Sequence, residues 1–351
     1  MHRLLILASL GLVSTSLSAQ ARPIRVLVYH DMEGLAGQSD PFTYRFDHPT
    51  QYALGRQYLV ADINAVIAGL FDGGATEVNV IDAHGSGNPE PDIPTGALDP
   101  RAKQVFRDTP FRGYVDLVEP NRYDAVAAVG MHSKTGSRGF AAHTITLGMA
   151  LELNGKEITE SELVAFSWGR ANVPMIFVSG DDRLREDLRT MPWIEFVITK
   201  KATSSSTVEL YPVEKVHAEM KASAKRAVRN LGKAQALKAG SPVTAAVRVV
   251  PPANLESLKG FPGVRYADNK VTFEAADFGA AYDAWMAIIA VARSGYSSLW
   301  GEVVGAQPKG KELRLDFSDR LFARWMDFES GRWTPPAPSV SPAGRRYHGS
   351  N

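Results

Sequence analysis

The chain has 351 residues, with 39 Lys and Arg against 38 Asp and Glu, and 44% of its residues are hydrophobic. This composition excludes a disordered chain, and a formal net charge of +1 gives no electrostatic reason to expect nucleic acid or an anionic membrane as a partner. The absence of cysteine excludes disulfides, thiolate zinc sites, iron–sulfur clusters and cysteine nucleophiles. Any bound metal must therefore be held by His, Asp and Glu.

Residues 1–21 have the pattern of a secretory signal peptide. Arg3 supplies the positive charge, Leu4 to Val13 is an apolar run, and Ala19 and Ala21 fit the small-residue rule for cleavage. The run is shorter than the roughly 20 residues that a permanent membrane helix needs, and an uncleaved anchor is the alternative. We therefore expect a bacterial protein that is periplasmic or secreted and free of the membrane after cleavage.

The first half of the mature chain alternates apolar runs with helical patterns. A helical face that ends near Gly73 and Gly74 follows the first run; its members are Leu59, Ile63, Val66, Ile67 and Leu70. The predicted strands are Ile24–Tyr29, Glu77–Ile81, Ala125–Val129 and Met175–Val178. This order predicts an α/β fold with a mostly parallel sheet and flanking helices.

The second half changes in character after a Ser- and Thr-rich segment near residue 203. Its predicted elements are a long amphipathic helix at Val213–Leu231, a strand at Val243–Val250, a hairpin through Asn269 and an apolar helix at Ala275–Ala292. We therefore predict an α/β catalytic domain over residues 22–200 and a smaller α+β portion over residues 201–333. Residues 334–351 are rich in Pro and Ser and are predicted to be a flexible tail.

Ligand-type side chains follow three of the predicted strands. Asp31 and Glu33 come after the first strand, His84 after the second and His132 after the third. Because the carboxyl ends of parallel strands meet at one edge of a sheet, these residues are candidates for a common site. Such a set of oxygen and nitrogen ligands suits zinc or another first-row divalent ion, whereas the alternative is that each residue only caps a loop.

The ordered motifs resemble those of the zinc-dependent D-aminopeptidase family, the type encoded in bacterial dipeptide-transport operons. The resemblance extends from Ile24 to Ala292 and includes a histidine eleven residues after His132. The matching stretches are DMEG at Asp31–Gly34, YxxGR at Tyr52–Arg56, ATEVNVIDAHG at Ala75–Gly85, GMH at Gly130–His132 and VPMIFVSGDD at Val173–Asp182.

The resemblance implies two zinc ions per chain that are held by five protein ligands. Asp31 would bridge the metals, Glu33 would bind the first zinc, and His84 and His132 match the family's motif histidines. The fifth ligand is a glutamate that opens a helix after a short β-hairpin, and Glu160 matches it.

Two other glutamates near this position are alternatives to Glu160. Glu157 precedes it in the same segment, and Glu162 can form a capping box with Thr159 at the start of a helix. If the capping box forms, Glu160 lies in the first helical turn.

His143 matches the catalytic histidine of the family. It follows a Gly-rich stretch that can present it to the metals, although a loop histidine without a role is the alternative. Lys134 resembles a basic residue of the family that contacts substrate, or it is solvated.

The other titratable residues near the motifs receive structural interpretations. We expect His30 to serve in packing or to bond a residue beside the metals, and Asp82 to accept a hydrogen bond from a ligand imidazole. Asp181 and Asp182 line the pocket or cap the next helix. The remaining histidines, namely His48, His217 and His348, are expected at the surface.

The preferred hypothesis is an exported dinuclear zinc aminopeptidase. It would hydrolyse the N-terminal amide of short peptides that begin with a D-residue such as D-Ala, using a metal-bound water. The resemblance also implies a ring-shaped homo-oligomer. The alternatives are a related two-metal amide or ester hydrolase of other specificity, and an exported metal- or peptide-binding protein without turnover.

Overall fold

The computed structural model describes residues 22–85, 91–106 and 112–334, so the predicted signal peptide and nearly all of the predicted tail lie outside the described residues. The helices are α1 (Pro49–Gly73), α2 (Glu160–Gly169), α3 (Asp182–Asp187), α4 (Val213–Arg229), α5 (Phe278–Ala292), α6 (Tyr296–Gly305) and α7 (Gly310–Glu329). The strands are β1 (Arg25–His30), β2 (Glu77–Asp82), β3 (Lys103–Gln104), β4 (Ala125–Met131), β5 (Met149–Leu153), β6 (Lys156–Ile158), β7 (Met175–Asp181), β8 (Glu195–Ala202), β9 (Val208–Leu210), β10 (Val243–Val249), β11 (Val264–Ala267) and β12 (Lys270–Ala275).

A seven-stranded sheet forms the centre of the fold, in the order β3-β2-β1-β4-β7-β8-β9. All neighbouring strands in it are parallel except β8 and β9, which are antiparallel. The four strands predicted from apolar runs are β1, β2, β4 and β7, which lie side by side in this sheet. The prediction of a mostly parallel sheet with flanking helices is confirmed.

A second, antiparallel sheet has the order β11-β12-β10-β5-β6. The predicted hairpin is β11–β12, and its turn residues Asp268 and Asn269 both have positive φ, as such a tight turn requires. Strands β5 and β6 reach this sheet from the first half of the chain, while β9 and α4, which follow residue 200, pack on the first sheet or its helices. Segments from both sides of residue 200 thus build each layer.

Two apolar clusters cover the two faces of the parallel sheet. Val26 and Val28 of β1 face the cluster that contains α1 and α4, whereas Leu27 and Tyr29 face the cluster that contains α2, α5 and the second sheet. This alternation follows from the two-residue period of a strand. A strand buried on both faces is apolar at every position, which is why its first polar residues mark the end of the sheet.

Helix α1 packs on one face of the parallel sheet, next to α4. It begins at Pro49, whose missing N–H would have no helical partner in the first turn, and it ends at Gly73, after which Gly74 caps it with φ +112°. The predicted apolar face is completely buried, and its members are Leu59, Ile63, Val66, Ile67 and Leu70. Within the described ranges, no helix combines the length and the apolarity needed to cross a bilayer.

Candidate metal centre

The predicted ligands meet where β1, β2 and β4 end. His30, the last residue of β1, is in register with Asp82 of β2 and with Val129 of β4. The Asp31 N–H donates to the Val129 carbonyl at 2.8 Å, so the segment after β1 stays beside β4. The loops that follow these strands therefore start at the same edge of the sheet.

Two glycines allow the DMEG and GMH segments to approach closely. A Cβ on Gly34 would lie 1.9 Å from the Met131 carbonyl oxygen, and one on Gly130 would lie 2.3 Å from the Asp31 carbonyl oxygen. The Gly34 N–H donates to the Gly130 carbonyl at 2.7 Å. No other residue fits at either position without separating the strands, and their contact brings Asp31 and Glu33 next to His132.

The five predicted ligands form two groups that share Asp31. The first group is Asp31, Glu33 and His84, the second is Asp31, His132 and Glu160, and in each the possible ligand atoms lie within 4.8 Å of one another. His84 Nε2 lies 3.6 Å from Glu33 Oε1, and His132 Nε2 lies 3.4 Å from both Asp31 Oδ2 and Glu160 Oε1. The arrangement offers two adjacent ion sites with Asp31 between them.

Two buried polar atoms of this cluster have no hydrogen bond within the described ranges, as is expected of atoms that bind a metal. Asp31 Oδ2 and His132 Nε2 are inaccessible to solvent, and neither has a hydrogen-bond partner among the described residues. Buried polar atoms are nearly always bonded, and both atoms point toward the centre of the cluster. Three carboxylates and two imidazoles are also a donor set that zinc accepts.

The buried carboxylates and imidazoles of the cluster shift one another's pKa values. Burial raises the pKa of Glu33, and the neighbouring Asp31 carboxylate raises it further. Burial lowers the pKa of His132, but the carboxylates of Glu160 and Asp31 outweigh it and raise the pKa to about 10. Burial would raise the pKa of Glu160, yet the His132 ring lowers it to about 2. Three carboxylates and two imidazoles thus share one buried site, an environment in which a divalent cation can replace the protons that otherwise compensate the carboxylates.

Of the three glutamates considered from the sequence, Glu160 alone lies in the cluster. The capping box is confirmed: the Glu162 N–H donates to Thr159 Oγ1 at 3.0 Å, and Glu162 Oε2 accepts from the Thr159 N–H at 2.8 Å. Glu157 is paired with Arg248 on β10. The Tyr114 hydroxyl donates to Glu160 Oε2 at 2.6 Å and holds this carboxylate toward His132.

Asp92 orients the His84 ring, whereas the sequence suggests Asp82 as a candidate acceptor for a ligand imidazole. His84 Nδ1 donates to Asp92 Oδ2 at 2.9 Å, which leaves Nε2 facing the cluster. Asp82 instead accepts the backbone N–H of His84 at 2.8 Å, so the expectation for its carboxylate was wrong. The YxxGR motif anchors Asp92, because the Tyr52 hydroxyl bonds its carboxylate and Arg56 bonds its carbonyl at 2.8 Å.

We predict that Asp92→Asn weakens the affinity for Zn²⁺ about 10–100-fold, because the asparagine no longer stabilises the charge and the orientation of the His84 ring. Competition with a chromophoric chelator measures the affinity. Asp47→Asn is the matched control, since Asp47 pairs with Arg45 on the surface. An unchanged affinity of Asp92→Asn would contradict this role.

His143 lies against the second group. Its ring stacks on the His132 ring with 4.0 Å between centroids, and its Nε2 lies 3.9 Å from Glu160 Oε1. Nδ1 donates to the Ala141 carbonyl at 2.7 Å, so Nε2 carries the lone pair of the neutral ring. Burial and the adjacent His132 lower the pKa of His143 to about 4, and the ring is therefore neutral at pH 7.

The other predicted polar residues lie outside this cluster. Lys134 is paired with Asp187, Asp181 caps α3 through the Leu184 N–H at 2.8 Å, and Asp182 accepts the Ala202 N–H at 2.7 Å.

The remaining described histidines lie outside the two ligand groups. His30 is fully buried. One of its ring nitrogens lies within 4.8 Å of a carboxylate oxygen of Asp82 and of Asp92. His217 is partly exposed at the surface, with 26% of its side chain accessible, and it also bonds Asp62 Oδ1 through Nε2 at 2.8 Å. His48 is also partly exposed, with 36% of its side chain accessible, and His348 lies outside the described residues.

Comparison with known proteins decides the family. Residues 24–287 match the model of peptidase family M55, described as D-aminopeptidase. The chain belongs to the D-aminopeptidase family. The resemblance inferred from the DMEG, YxxGR and GMH motifs, and with it the prediction of an aminopeptidase, is thereby confirmed.

Two relatives from Bacillus subtilis resemble this member of the D-aminopeptidase family. A D-aminopeptidase of strain 168 is 26% identical over 274 residues, which cover 75% of this chain and 95% of the relative. The solved structure of the Zn-dependent D-aminopeptidase DppA, described as a self-compartmentalizing protease, superposes with a TM-score of 0.69 at 24% identity. That match covers 77% of this chain and 98% of DppA, and it establishes the shared fold.

Proposed function

We propose that the chain is a dinuclear zinc aminopeptidase that removes an N-terminal D-residue, such as D-Ala, from short peptides. The observation that carries this proposal is the pair of ligand groups that share the buried Asp31. A buried carboxylate that belongs to two neighbouring ligand groups is suited to bridge two ions. The donor set of the cluster and the zinc dependence of the related DppA favour zinc.

When bound, two zinc ions would supply a water of lowered pKa and would polarise the scissile carbonyl. The residues around the metal site would balance its charge, orient its ligands and transfer a proton. The carboxylates of Asp31, Glu33 and Glu160 hold the site near electrical neutrality, while Asp92 and Tyr114 hold His84 and Glu160 in place. His143 presents the lone pair of Nε2 at the edge of the cluster, where it can accept a proton and deliver it to the leaving amine.

The preference for a D-residue rests on membership of the D-aminopeptidase family. Hydrolysis of D-Ala-p-nitroanilide and L-Ala-p-nitroanilide by the zinc-loaded chain tests it, together with elemental analysis of the protein. We expect hydrolysis of the D-substrate and about two zinc ions per chain, loss of activity with a chelator and recovery with zinc. Preference for the L-substrate would overturn the D-specificity, and about one zinc per chain would overturn the dinuclear centre.

We also propose that the enzyme is exported and that it assembles into a ring-shaped homo-oligomer. The signal-peptide pattern of residues 1–21 supports export, and the self-compartmentalizing DppA supports the assembly. N-terminal sequencing of the protein from the periplasm or the medium tests export, because a cleaved chain begins near residue 22. Light scattering and electron microscopy test the assembly, and a monomer at micromolar concentration would overturn it.

A further inference from the structure

Helices α6 and α7 form an arm that lies beyond the family match, which ends at residue 287. The two helices pack against each other, and within them Gly310 is the one buried residue. Both helices nevertheless carry large apolar side chains. A helix of this composition is normally covered by other protein.

Helix α7 exposes seven large apolar side chains, of which Leu315 and Phe322 lie to one side and the other five form an apolar stripe. These are Leu313, Phe317, Leu321, Trp325 and Phe328, with exposed fractions of 51%, 69%, 60%, 52% and 62%. At 100° per residue they fall within an arc of about 120° on one side of the helix. A contiguous apolar surface of this size on a globular protein marks an interaction site.

The charges of α7 argue against an anionic membrane as the partner. The helix carries four basic and five acidic side chains, for a net charge of −1. Amphipathic helices that bind anionic lipid instead carry a surplus of Lys and Arg on the polar face. The tail after residue 334 has few apolar side chains with which to cover the stripe.

The stripe is close to symmetric about Leu321, which suits a second copy of itself. Phe317 lies four residues before Leu321 and Trp325 four residues after it, while Leu313 and Phe328 lie eight before and seven after. Two α7 helices that run antiparallel and cross at Leu321 therefore place Phe317 of one copy against Trp325 of the other. The five side chains offer roughly 600 Å² per copy, or roughly 1,200 Å² for the pair, which reaches the lower limit of stable interfaces.

The arginines beside the stripe favour the antiparallel direction. In that pairing, Arg324 of one copy lies within one helical turn of Asp316 of the other, which already pairs with Arg320 of its own helix at 3.0 Å. Arg314, which bonds the Gly301 carbonyl within its own arm, lies beside Glu329 of the other copy. A parallel pair in register would instead place each arginine next to the same arginine of the second copy. Like charges at that separation oppose pairing, whereas opposite charges favour it.

We propose that α7 is a homotypic docking helix, which pairs antiparallel with α7 of a second copy through the stripe centred on Leu321. This contact lies beyond residue 287, where the family match ends, and it involves none of the candidate metal ligands. It therefore goes beyond the proposed function, and the full-length chain can test it without reference to activity.

Single cysteines test the pairing directly, because the natural chain contains none. Leu321→Cys is expected to form a disulfide-linked dimer under mild oxidation, since the two positions face each other at the crossing. Leu313→Cys is the matched variant in the same stripe, and its two copies would lie about 24 Å apart in the antiparallel pair. Absence of the Leu321→Cys dimer would overturn the proposal, and equal linking at both positions would overturn the antiparallel direction.

A charge on the stripe provides the second test. Leu321→Glu is expected to weaken the association step that depends on α7 at least tenfold in sedimentation equilibrium, because it buries two facing carboxylates. The proposed ring assembly, which uses other contacts, is expected to persist in this variant. Leu315→Glu is the control, since Leu315 is 62% exposed on the same helix but lies about 120° away from Leu321. Equal association of both variants, or α7-dependent binding of the wild type to vesicles instead of to itself, would overturn the proposal.

Discussion

Replacing Asp31 by asparagine is expected to lower hydrolysis of D-Ala-p-nitroanilide by about 10³-fold or more, which corresponds to about 4 kcal/mol of transition-state stabilisation. Asp31 is the one residue that both ligand groups share, so the change affects both ion sites at once. The asparagine also removes a negative charge and leaves an amide N–H₂ or a single oxygen facing His132. We therefore expect the zinc content to fall together with the activity.

Circular dichroism of Asp31→Asn distinguishes loss of the metal from loss of the fold. Circular dichroism should stay unchanged, because Asp31 Oδ1 keeps only a local bond to the Met32 N–H at 2.8 Å, which asparagine can also accept. Glu157→Gln is the matched control: it removes one carboxylate charge near the cluster, but the carboxylate is paired with Arg248. Full zinc content and activity of Asp31→Asn would exclude Asp31 as the bridging ligand.

The strands that precede the ligands could be predicted because a strand buried on both faces is a continuous run of apolar residues. Ile24–Tyr29 was predicted and Arg25–His30 is observed, so the first strand shifts by one residue. The polar residues after β1, β2 and β4 then lie at one edge, because parallel strands in register must end together. Glu160 comes from a different element, and it could be located only through the resemblance and the capping box that begins α2.

The residues that position the ligands could not be predicted in the same way. Asp92 and Tyr114 lie in irregular segments, where no period indicates which way a side chain points. Tyr114 reaches Glu160 across 46 residues of sequence. Asp82 was a reasonable expectation for the partner of His84 because it is close in sequence, but a residue two positions away more easily bonds the backbone N–H than the ring.

The arm was missed for another reason. Sequence patterns assign apolar residues at helical spacing to a core, and residues 201–333 were accordingly predicted to form one small α+β portion. In α7 the apolar residues face outward, because the rest of the described chain provides no surface to cover them. Exposure of this kind follows from tertiary structure and cannot be deduced from periodicity.

Replacing His143 by alanine is expected to reduce hydrolysis about 10²–10⁴-fold, the range typical of a lost general acid or base. His143 is the member of the cluster whose ring is held neutral, with Nδ1 bound to the Ala141 carbonyl and Nε2 available. The five predicted ligands remain in the variant, so its zinc content should equal that of the wild type. The loss should appear in kcat, because proton transfer belongs to the chemical step.

The same variant separates an enzyme from an exported protein that only binds metal or peptides. Such a binding protein needs the ligands but has no use for a neutral imidazole beside them. His48→Ala is the control, since His48 is a partly exposed histidine outside the cluster, with its Nε2 3.9 Å from Asp47 Oδ1. Full hydrolysis by His143→Ala would remove this residue from the chemistry. If wild type, His48→Ala and His143→Ala all retained zinc without hydrolysing any D- or L-aminoacyl substrate, the same geometry would describe a binding site.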